Sequence, residues 1–420
     1  MNVLLLGGGG REHAIGWKLA RSSRLRRLVS APGNPGLAEL GPTPAIDPTN
    51  PRAVIDLVRL ESIDLVVIGP EAPLASGVAD SLSAAGVPVF GPVQSAARLE
   101  TSKTFAKEAM ARAGVPTGAS VSFTDQASAV AHLATQEAPF VIKADGLAAG
   151  KGVLVTPEIQ EARSWVADCF TGRFGTAGDR VVIEEFLDGD EISVFGLCDG
   201  TDVIALRPAR DYKRLLDGDR GPNTGGMGSF TPVPGFDDEF VDDVVERMIK
   251  PVLGVLADDG VPYVGFLYAG LILTDTGPRV LEYNCRLGDP ETQALLPTME
   301  SDLLEVIAAC VDGSLSGFEI EWSDRSAVNV VLAAKGYPEA PVAGDPISGL
   351  SPSGDDAVVF QAGTTTTTGQ TRTAGGRVLS VVGLGPDLGT ARTRAYEQAA
   401  GIHFAGKQYR TDIADMKGKS

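Results

Sequence analysis

The sequence predicts a multidomain protein that combines α/β and α+β architecture. Strands and helices alternate over the first hundred residues, as in a doubly wound α/β domain. Two apolar runs joined by a glycine-rich turn lie between residues 141 and 155. A strand-rich region covers residues 191–291, and short strands with one helix follow from about residue 327. At 420 residues, the chain is long enough for two to four domains of ordinary size.

Apolar patterns, together with proline, glycine and cap residues, place the individual elements. Strands are predicted at residues 3–6, 28–30, 64–68, 87–90, 181–187, 329–333, 358–361 and 378–382. Helices are predicted from about residue 11, and at 51–60, 75–85, 95–113, 240–256 and 388–400. The run Thr364–Thr368 is predicted to be a solvated strand end or loop, and a linker is expected near Trp322–Arg325.

Composition narrows the classes of partner. The net charge of −18 argues against nucleic acid and against an anionic membrane surface. No stretch is long and apolar enough to span a membrane, and no secretion signal precedes the first strand. Four widely spaced cysteines without a Cys-x-x-Cys motif favour reduced thiols and a cytoplasmic location. The three histidines lie far apart in sequence, which disfavours a histidine-rich metal site.

A glycine-rich hairpin carries two lysines that can bind a polyphosphate. Lys143 ends an apolar run, and Lys151 follows a turn of small residues that includes Gly150. Glycine lets backbone N–H groups approach phosphate oxygens, and lysine supplies positive charge. The pattern is not a Walker A loop, because Gly152 and a strand follow the second lysine instead of Ser or Thr and a helix. An ordinary hairpin with solvated lysines is the alternative.

A second glycine-rich turn, Gly7–Gly10, lies between the first strand and the first helix. Backbone N–H groups at such a helix N-terminus can bind an anion. A dinucleotide fingerprint is absent, because Glu12 breaks its register and the second strand ends in Ala31-Pro32-Gly33-Asn34 without an acidic residue. A sugar phosphate therefore fits better than a nicotinamide cofactor, and a plain tight turn is the alternative. His13 is expected to have a supporting role, with general-base catalysis as the less favoured interpretation.

Carboxylates occur at the ends of two predicted strands. Glu71 follows the strand at 64–68, where a parallel sheet binds ligands, and it is placed to meet a ribose hydroxyl or an amine. The run Glu184–Leu187 is suited to a hinge that reads adenine through backbone groups, with Glu191 spaced for the ribose. Each signal is weak in isolation, because exposed acids at strand ends are common.

Residues 281–291 hold a dense set of polar groups. Glu282 and Asn284 point to the same face of a strand. A carboxylate and an amide oxygen side by side suit Mg²⁺, which leaves room for phosphate oxygens. Arg286 lies on that face if the strand continues, and it can grip a carboxylate or a phosphate with two nitrogens. A polar edge strand is the alternative.

Three further signals are weak when each is taken alone. The run Asp211–Arg214 is by default a solvated surface charge run. The glycine-rich loop Asn223–Gly228 is suited to pack closely on a small substrate. Lys103, within the predicted helix at 95–113, is by default a solvated lysine.

Taken in chain order, Lys103, Lys143, the hinge, Glu191 and the Glu282-x-Asn284 pair resemble the ATP-grasp ligases. The chain is similar to one family of these enzymes, the phosphoribosylamine–glycine ligases, over essentially its full length. The motifs that carry the resemblance are Gly8–His13, Ala31–Asn34, Gly69–Leu74, Lys143–Gly152, Gly221–Gly228 and Asn284–Glu291. Two features depart from the pattern. Tyr212 stands where some relatives have histidine, and Ala269-Gly270-Leu271 occupies the zone of a further metal carboxylate.

The resemblance implies an architecture and a reaction. The expected parts are an N-terminal doubly wound pre-ATP-grasp domain at 1–102, an ATP-grasp domain at 103–323 with a small mobile lid at about 121–188, and a small mixed α/β C-terminal domain at 324–420. The implied reaction converts ATP, glycine and 5-phosphoribosylamine to glycinamide ribonucleotide, ADP and phosphate through glycyl phosphate, in purine biosynthesis. Mg²⁺ or Mn²⁺ is the expected metal. A cytoplasmic monomer without nucleic-acid or membrane partners is expected.

The same resemblance implies roles for individual residues. Those expected to bind ATP are Lys103, Lys143, Gly150, Lys151, Glu184, Glu185, Leu187 and Glu191. Those expected to bind the other substrates are Gly8, Gly9, Gly10, Asn34, Glu71, Gly225, Gly226, Met227, Asp289 and Pro290. The expected metal ligands are Glu282 and Asn284, and the expected catalytic residues are Arg286, Lys213 and Asp211.

Two other functions compete with this interpretation. A different ATP-grasp carboxylate–amine ligase, or a carboxylase that uses bicarbonate, would share the nucleotide site. The loop Thr224–Gly228 and the run Arg286–Glu291 argue against it. A non-catalytic nucleotide sensor would keep the lysine hairpin but could lose Glu282 or Asn284, and both are present.

Overall fold

A parallel four-stranded sheet organises the N-terminal part of the protein, whose computed structural model describes residues 1–148, 152–350 and 354–416. Its strands are β1 (Asn2–Gly7), β2 (Arg27–Pro32), β3 (Leu65–Ile68) and β4 (Val89–Phe90). The order β2-β1-β3-β4 places β1 between β2 and β3, with all pairs parallel. Because the winding reverses between β2 and β3, the carboxyl ends of the central strands flank a crevice. The predicted doubly wound fold is confirmed.

Two of the predicted N-terminal helices are divided in the structure. The helices are α1 (Gly10–Leu19), α2 (Pro35–Ala38), α3 (Pro51–Glu61), α4 (Glu71–Ala75), α5 (Val78–Ala84), α6 (Arg98–Thr101) and α7 (Lys103–Ala113). Gly77, at a positive φ of 73°, separates α4 from α5 within the predicted helix at 75–85. Ser102 breaks the predicted helix at 95–113, since its extended backbone lets its side chain cap α7 at Phe105. This break places Lys103 at the N-terminus of α7.

The region predicted to be a lid forms a separate antiparallel sheet. Its strands are β5 (Ser120–Phe123), β6 (Phe140–Ala144), β7 (Val153–Thr156) and β8 (Val181–Glu184), in the order β5-β8-β6-β7. Its helices are α8 (Gln126–Leu133) and α9 (Ile159–Phe170). The predicted lysine hairpin is β6 and β7, with Lys143 opposite Val153. Apolar residues of this region, including Ile142 and Trp165, form a cluster apart from the rest of the core.

An antiparallel sheet of eight strands runs through the rest of the protein, in the order β15-β14-β9-β10-β13-β16-β20-β17. The strands from residue 190 onward, including four that lie outside this sheet, are β9 (Asp190–Asp199), β10 (Val203–Asp211), β11 (Arg214–Leu216), β12 (Arg220–Asn223), β13 (Gly228–Thr231), β14 (Val264–Thr274), β15 (Gly277–Asn284), β16 (Ser326–Ala333), β17 (Ala357–Gln361), β18 (Thr364–Thr367), β19 (Gln370–Thr373) and β20 (Arg377–Gly385). Two short ribbons, β11–β12 and β18–β19, stand outside this sheet. The threonine run that was expected to be a strand end or loop is therefore a paired strand.

The helices of this part lie around the eight-stranded sheet. They are α10 (Asp238–Val244), α11 (Lys250–Asp258), α12 (Glu291–Leu295), α13 (Leu303–Val311) and α14 (Leu388–Gly401). A π-helical turn, Val245–Ile249, joins α10 to α11, so the predicted helix at 240–256 contains one irregular turn. In the described parts of the chain, no helix has the length and apolar composition needed to cross a membrane.

The eight-stranded sheet crosses the predicted boundary between the second and third domains. β13 pairs with β16 on the far side of residue 323. A single apolar cluster also contains Val66 of the N-terminal sheet, Leu267 of β14 and Ala395 of α14. The predicted domain limits stay predictions, but these two parts share both a sheet and a core.

Candidate active site

Lys143 lies close to the strand that bears Glu282 and Asn284, at the junction between the lid sheet and the eight-stranded sheet, which forms the candidate cleft. The Lys143 Nζ donates a 3.4 Å hydrogen bond to the carbonyl oxygen of Leu281, which precedes Glu282 in β15. Burial alone would lower the pKa of Lys143, but the carboxylates of Glu184 and Glu282 outweigh burial and raise that pKa. The two groups predicted to lie on opposite sides of a nucleotide are therefore close enough for one molecule to contact both.

Lys103 also lies at this cleft. Its side chain is bonded to the protein, so it is not the solvated helix lysine that would be expected by default. Its Nζ donates a 3.1 Å hydrogen bond to the carbonyl oxygen of Gly146, in the turn after β6. Burial lowers the pKa of Lys103, while the Glu282 carboxylate acts in the opposite direction. An anion placed in the cleft would therefore stabilise the charged lysine. Gly150 and Lys151, which were predicted to bind ATP, lie outside the described residues.

The predicted metal ligands have suitable chemistry and a shared orientation. Glu282 and Asn284 are two residues apart in β15, so their side chains lie on the same face of the strand. Burial alone would raise the pKa of Glu282, but three lysines, with Lys143 the largest contributor, lower it and keep the carboxylate ionised. The Asn284 Oδ1 accepts a long contact of 3.4 Å from Arg286.

This pair fits an ion that takes most of its ligands from elsewhere. Gly270 lies opposite Glu282 in β14, in the segment Ala269–Leu271 that occupies the zone of a further metal carboxylate. Within the described ranges there is no group of three or more His, Cys, Asp or Glu side chains that could hold a metal. Two protein oxygens suit Mg²⁺, because that ion keeps water and substrate phosphates as its other ligands.

The side chain of Glu184 is engaged with two lysines. Its Oε2 lies 2.9 Å from the Lys143 Nζ and 3.0 Å from the Lys107 Nζ, and all three side chains are buried. Lys107 also donates to the Thr117 Oγ1 at 2.8 Å. The Glu184 Oε1 is buried and has no hydrogen-bond partner among the described residues. Glu184 therefore fixes the position of Lys143 as well as ending the strand beside the predicted hinge.

The predicted hinge is an irregular segment, because β8 ends at Glu184 and not at Leu187. The Glu185 Oε2 accepts a 3.0 Å hydrogen bond from the Ala119 N–H, and Leu187 lies close to Gly118. The hinge is thus attached to the strand that enters the lid. The Glu185 N–H also donates to the Ala119 carbonyl oxygen at 2.8 Å, so this backbone group of the hinge is bonded within the protein.

Lys213 lies in a cluster of carboxylates. Its Nζ lies 2.9 Å from the Asp211 Oδ1 and 2.8 Å from the Glu191 Oε2. Burial alone would lower the pKa of Lys213, but Asp211 and Glu191 raise it well above its ordinary value. Burial and Asp211 raise the pKa of Glu291 to about 7, and the Ser193 hydroxyl donates to Glu291 at 3.1 Å. Glu291, for which the sequence predicted no role, thus titrates near neutral pH.

Arg286 is held by two carboxylates from different parts of the N-terminal region. Its NH2 group lies 2.7 Å from the Glu100 Oε1, and its Nε lies 3.3 Å from the Glu71 Oε2. Burial alone would lower the pKa of Arg286, but these two carboxylates raise it above its ordinary value. Arg11 also lies 3.8 Å from Glu71. The guanidinium is therefore fixed in orientation at the edge of the cleft.

A cavity of about 270 Å³ opens at the N-terminus of α1, where the sequence predicted an anion site. It is lined by Gly8, Gly9, Gly10, Asp289, Gln293, Ala362, Gly363, Arg377 and Ser380. The Gln293 Oε1 is buried without a hydrogen-bond partner among the described residues. The cavity therefore combines helix N–H groups with side chains from the C-terminal strands.

Asn34 supports the Gly7–Gly10 turn, and His13 of α1 bonds to the C-terminal part of the chain. The Asn34 side chain accepts from the Leu37 N–H at 2.9 Å and donates to the carbonyl oxygens of Gly8 and Gln361 at 3.0 and 2.8 Å. Its side-chain amide is thus bonded within the protein, and the substrate contact predicted for Asn34 stays a prediction. The His13 Nδ1 accepts from the Gln361 N–H, and burial lowers the pKa of His13 to about 4. His13 is therefore neutral and structural.

Arg377, which no sequence motif indicated, connects the glycine-rich loop to Asp289. Its NH1 group donates to the carbonyl oxygens of Gly225 and Asp289 at 2.5 and 2.8 Å. Its NH2 group lies 2.9 Å from the Asp289 Oδ2. Arg377 opens β20, so the C-terminal part of the chain supplies a charged side chain to the predicted substrate cleft.

The loop after β12 requires glycine at one position. Gly226 has a φ of +111°, and a Cβ there would lie 2.3 Å from the Pro290 Cδ. Pro290 in turn accepts hydrogen bonds from Ser229 at 2.6 Å through its carbonyl oxygen. Met227 is completely buried, so its side chain belongs to the core, and the part in substrate binding predicted for it stays a prediction.

Besides Glu291, three residues of this site escaped the sequence interpretation. Lys107 follows Lys103 by one helical turn, and this i, i+4 spacing was a usable signal. Glu100 and Arg377 gave no such signal, because their partners Arg286 and Asp289 are distant in sequence.

Comparisons with known proteins place the chain in a family. The profile of the phosphoribosylglycinamide synthetase N domain matches residues 1–100, that of the ATP-grasp (A) domain matches 101–292, and that of the C domain matches 327–416. The phosphoribosylamine–glycine ligase of Rhizobium meliloti is 48% identical over 413 residues, which cover 98% of each chain. The enzyme of the same name from Caulobacter vibrioides is 49% identical over 416 residues, covering 98% of this chain and 97% of the relative.

Solved structures agree with this result. The crystal structure of phosphoribosylamine–glycine ligase from Thermotoga maritima has a TM-score of 0.88 at 38% identity, covering 99% of this chain and 100% of that one. Biotin carboxylase from Campylobacter jejuni has a TM-score of 0.74 at 14% identity, covering 97% and 92%, and this likeness concerns the fold alone. The resemblance inferred from the motifs is confirmed, and the chain belongs to the phosphoribosylglycinamide synthetase family, a family of ATP-grasp enzymes.

Proposed function

We propose that this ligase joins glycine to 5-phosphoribosylamine and converts ATP to ADP and phosphate. The product is glycinamide ribonucleotide, and the intermediate is glycyl phosphate. Family membership supports the ligase activity in purine biosynthesis. The structural observation that carries the proposal is the shared cleft, in which Lys143 approaches the strand segment that bears Glu282 and Asn284.

The cationic side of the cleft suits phosphoryl transfer to a carboxylate. A carboxylate is a poor acyl donor, since its leaving group would be oxide. Phosphorylation gives an acyl phosphate that an amine can attack. Lys103 and Lys143 neutralise charge on the transferred group and hold it in line. Glu184 and Lys107 keep Lys143 in place through buried ion pairs at 2.9 and 3.0 Å.

Glu282 and Asn284 would hold a divalent ion, Mg²⁺ or Mn²⁺. When bound, such an ion neutralises charge on the nucleotide phosphates. The lowered pKa of Glu282 keeps its carboxylate ready to coordinate. The carboxylate and amide oxygens of this pair suit both Mg²⁺ and Mn²⁺.

Arg286 is assigned to the glycine carboxylate or to the transferred phosphoryl group. Glu71 and Glu100 fix its planar guanidinium through Nε and NH2, and the NH1 group donates a long hydrogen bond of 3.3 Å to the Leu287 carbonyl oxygen. Lys213 and Asp211 lie in the neighbouring carboxylate cluster and are assigned to the catalytic step.

The cavity at α1 is assigned to 5-phosphoribosylamine. The Gly9 N–H already donates to the Glu12 Oε2 at 2.7 Å, so Gly8 and Gly10, which line the cavity, are assigned to the phosphate at this helix N-terminus. Asp289 and the loop Gly225–Gly226 form the adjoining wall, and Pro290 packs against that loop. Asn34 contributes indirectly by holding the turn.

The lid is assigned to closure over ATP. Its separate apolar cluster allows it to move as a unit, and closure would exclude water that hydrolyses glycyl phosphate. Glu185 and Leu187 are assigned to the adenine side, and Glu191 to the ribose. Gly150 and Lys151 are assigned to the phosphate side on the basis of the sequence. A cytoplasmic monomer completes the proposal, supported by four buried, unpaired cysteines for the location.

A coupled assay of phosphate release tests the proposed function. Purified protein with ATP and Mg²⁺ should release phosphate only when glycine and 5-phosphoribosylamine are both supplied. Omission of either substrate is the internal control. Phosphate release that is driven by bicarbonate, or by a different amino acid with equal efficiency, would overturn the assignment.

A further inference from the structure

The β11–β12 ribbon begins directly beside Lys213. Lys213 precedes β11, and its carbonyl oxygen accepts hydrogen bonds from the Thr224 N–H and the Thr224 Oγ1, each at 2.8 Å. Thr224 follows β12, so the two ends of the ribbon are tied together at Lys213. A displacement of the ribbon therefore displaces the backbone of Lys213.

The ribbon has little that would hold it by itself. It is a two-stranded sheet separate from the eight-stranded sheet, and β12 is exposed along its length. Two isolated strands are marginally stable in water. Its position must therefore be set by contacts from another part of the chain.

Arg410 supplies such a contact from the C-terminal segment. Its side chain is only 1% exposed, and its NH1 group lies 2.8 Å from the Asp219 Oδ1 in the turn of the ribbon. The same group donates to the Arg214 carbonyl oxygen in β11 at 3.1 Å. Its Nε and NH2 groups bind both oxygens of Asp412 at 2.7 and 2.6 Å.

Neighbours of Arg410 add further hydrogen bonds to the same turn. The Gly218 N–H donates to the Asp412 Oδ2 at 2.8 Å. The Thr411 N–H donates to the Asp217 Oδ1 at 2.8 Å, and its hydroxyl donates to the other oxygen of Asp217 at 2.5 Å. Every residue of the turn from Asp217 to Asp219 is thus bonded to the C-terminal segment.

A second connection reaches the residue beside Lys213. The Arg410 guanidinium lies 4.7 Å from the centre of the Tyr212 ring, and the Tyr212 hydroxyl accepts from the Ala414 N–H at 2.9 Å. Tyr212 stands between Asp211 and Lys213 in the chain. It therefore links the backbone beside Lys213 to the C-terminal segment.

We propose that Arg410 is a positioning residue, which holds Lys213 in its carboxylate cluster through the ribbon and Tyr212. Burying a guanidinium costs solvation free energy that carboxylate partners only offset, so its main contribution is a fixed geometry. The inference rests on the proposed function, because the catalytic assignment of Lys213 belongs to it.

A double-variant cycle in the phosphate-release assay tests the inference. Arg410→Met should lower kcat by roughly 10- to 100-fold, the range expected when a reacting group is displaced by a change far from the chemistry. Lys213→Met should lower it at least as much. In the Lys213→Met background, Arg410→Met should add less than about threefold, because both changes act on the same group.

Matched variants separate positioning from folding. Arg112→Met removes an arginine that binds both oxygens of Asp259 on the surface at 2.8 Å, and it should leave kcat unchanged. Asp219→Asn alters only the exposed partner in the ribbon turn. It should lower kcat several-fold with an unchanged unfolding midpoint, which keeps the test open if Arg410→Met does not fold.

Each outcome decides a separate question. Wild-type kcat in both Asp219→Asn and Arg410→Met would overturn the inference. It would also be overturned if Arg410→Met lowered kcat by the same factor in the Lys213→Met protein as in the wild type. If Lys213→Met retains wild-type activity, the catalytic assignment of Lys213 fails and the inference fails with it. Loss of activity in Lys213→Met but not in Arg410→Met would refute the positioning role alone.

Discussion

Substitution of Glu184 tests most directly whether buried ion pairs hold Lys143 in position. Its buried Oε2 lies 2.9 and 3.0 Å from two buried ammonium groups, those of Lys143 and Lys107. At an effective dielectric constant of about 20, each attraction amounts to roughly 5 kcal/mol before desolvation is considered. Replacing the carboxylate by an amide of the same shape leaves two like charges buried together. Breaking such a pair from one side costs about 3–5 kcal/mol.

Glu184→Gln should therefore lower the free energy of unfolding by about 3–5 kcal/mol and raise the KM for ATP. The KM should rise because the lysine facing the phosphates loses its orienting partner and its main source of a raised pKa. Urea unfolding measures the first quantity, and phosphate release at varied ATP measures the second.

Two comparisons make this prediction specific. Glu185→Gln alters the adjacent glutamate, which is half-exposed and 3.5 Å from Arg279, and it should cost less than about 1 kcal/mol. Lys107→Met combined with Glu184→Gln should recover part of the lost stability, because one of the two buried charges is then gone. A Glu184→Gln protein as stable as the wild type, with an unchanged KM for ATP, would refute the reasoning.

Four further predictions concern the cleft. Gly226→Ala should lower both stability and activity, because the positive φ and the nearby Pro290 ring exclude a Cβ; wild-type thermal unfolding and turnover would contradict this. Glu282→Ala should lower kcat by roughly 10²-fold or more, and wild-type turnover at saturating Mg²⁺ would remove Glu282 from the metal site. Arg286→Lys should not restore the activity lost in Arg286→Ala, since a lysine cannot span both carboxylates; full rescue would reduce the guanidinium to a point charge. Folding raises the pKa of Glu291 from 4.5 to about 7. The contribution of Glu291 to the free energy of unfolding is therefore fully present below pH 4.5, and it is lost as the pH rises through about 7. Glu291→Gln should remove this loss of stability, and urea unfolding at about pH 5 and about pH 8 measures it. The same pH dependence of stability in the variant and the wild type would contradict the prediction.

Parts of the fold could be predicted from the sequence wherever the signal lay within one short segment. The hairpin around Lys143 could be predicted because two apolar runs flank a turn of small residues. Glu282 and Asn284 could be placed on one face because side chains alternate along a strand. Such signals need no knowledge of the rest of the chain.

Other features depend on partners far away in sequence. The break at Ser102 was hidden, since apolar residues continue on both sides and only the cap geometry divides the helices. The burial of Met227 was hidden, because a glycine-rich loop does not reveal which way its neighbours point. Arg377 acquires a role only when β20 lies beside Asp289.

The pairing of β13 with β16 limits how this protein can be divided. A shortened chain that stopped before Ser326 would leave β13 with a row of unpaired backbone N–H and C=O groups, an open edge that invites aggregation. It would also lose Arg377, the charged group that joins Gly225 to Asp289. The ATP-binding half and the C-terminal quarter therefore depend on each other for folding.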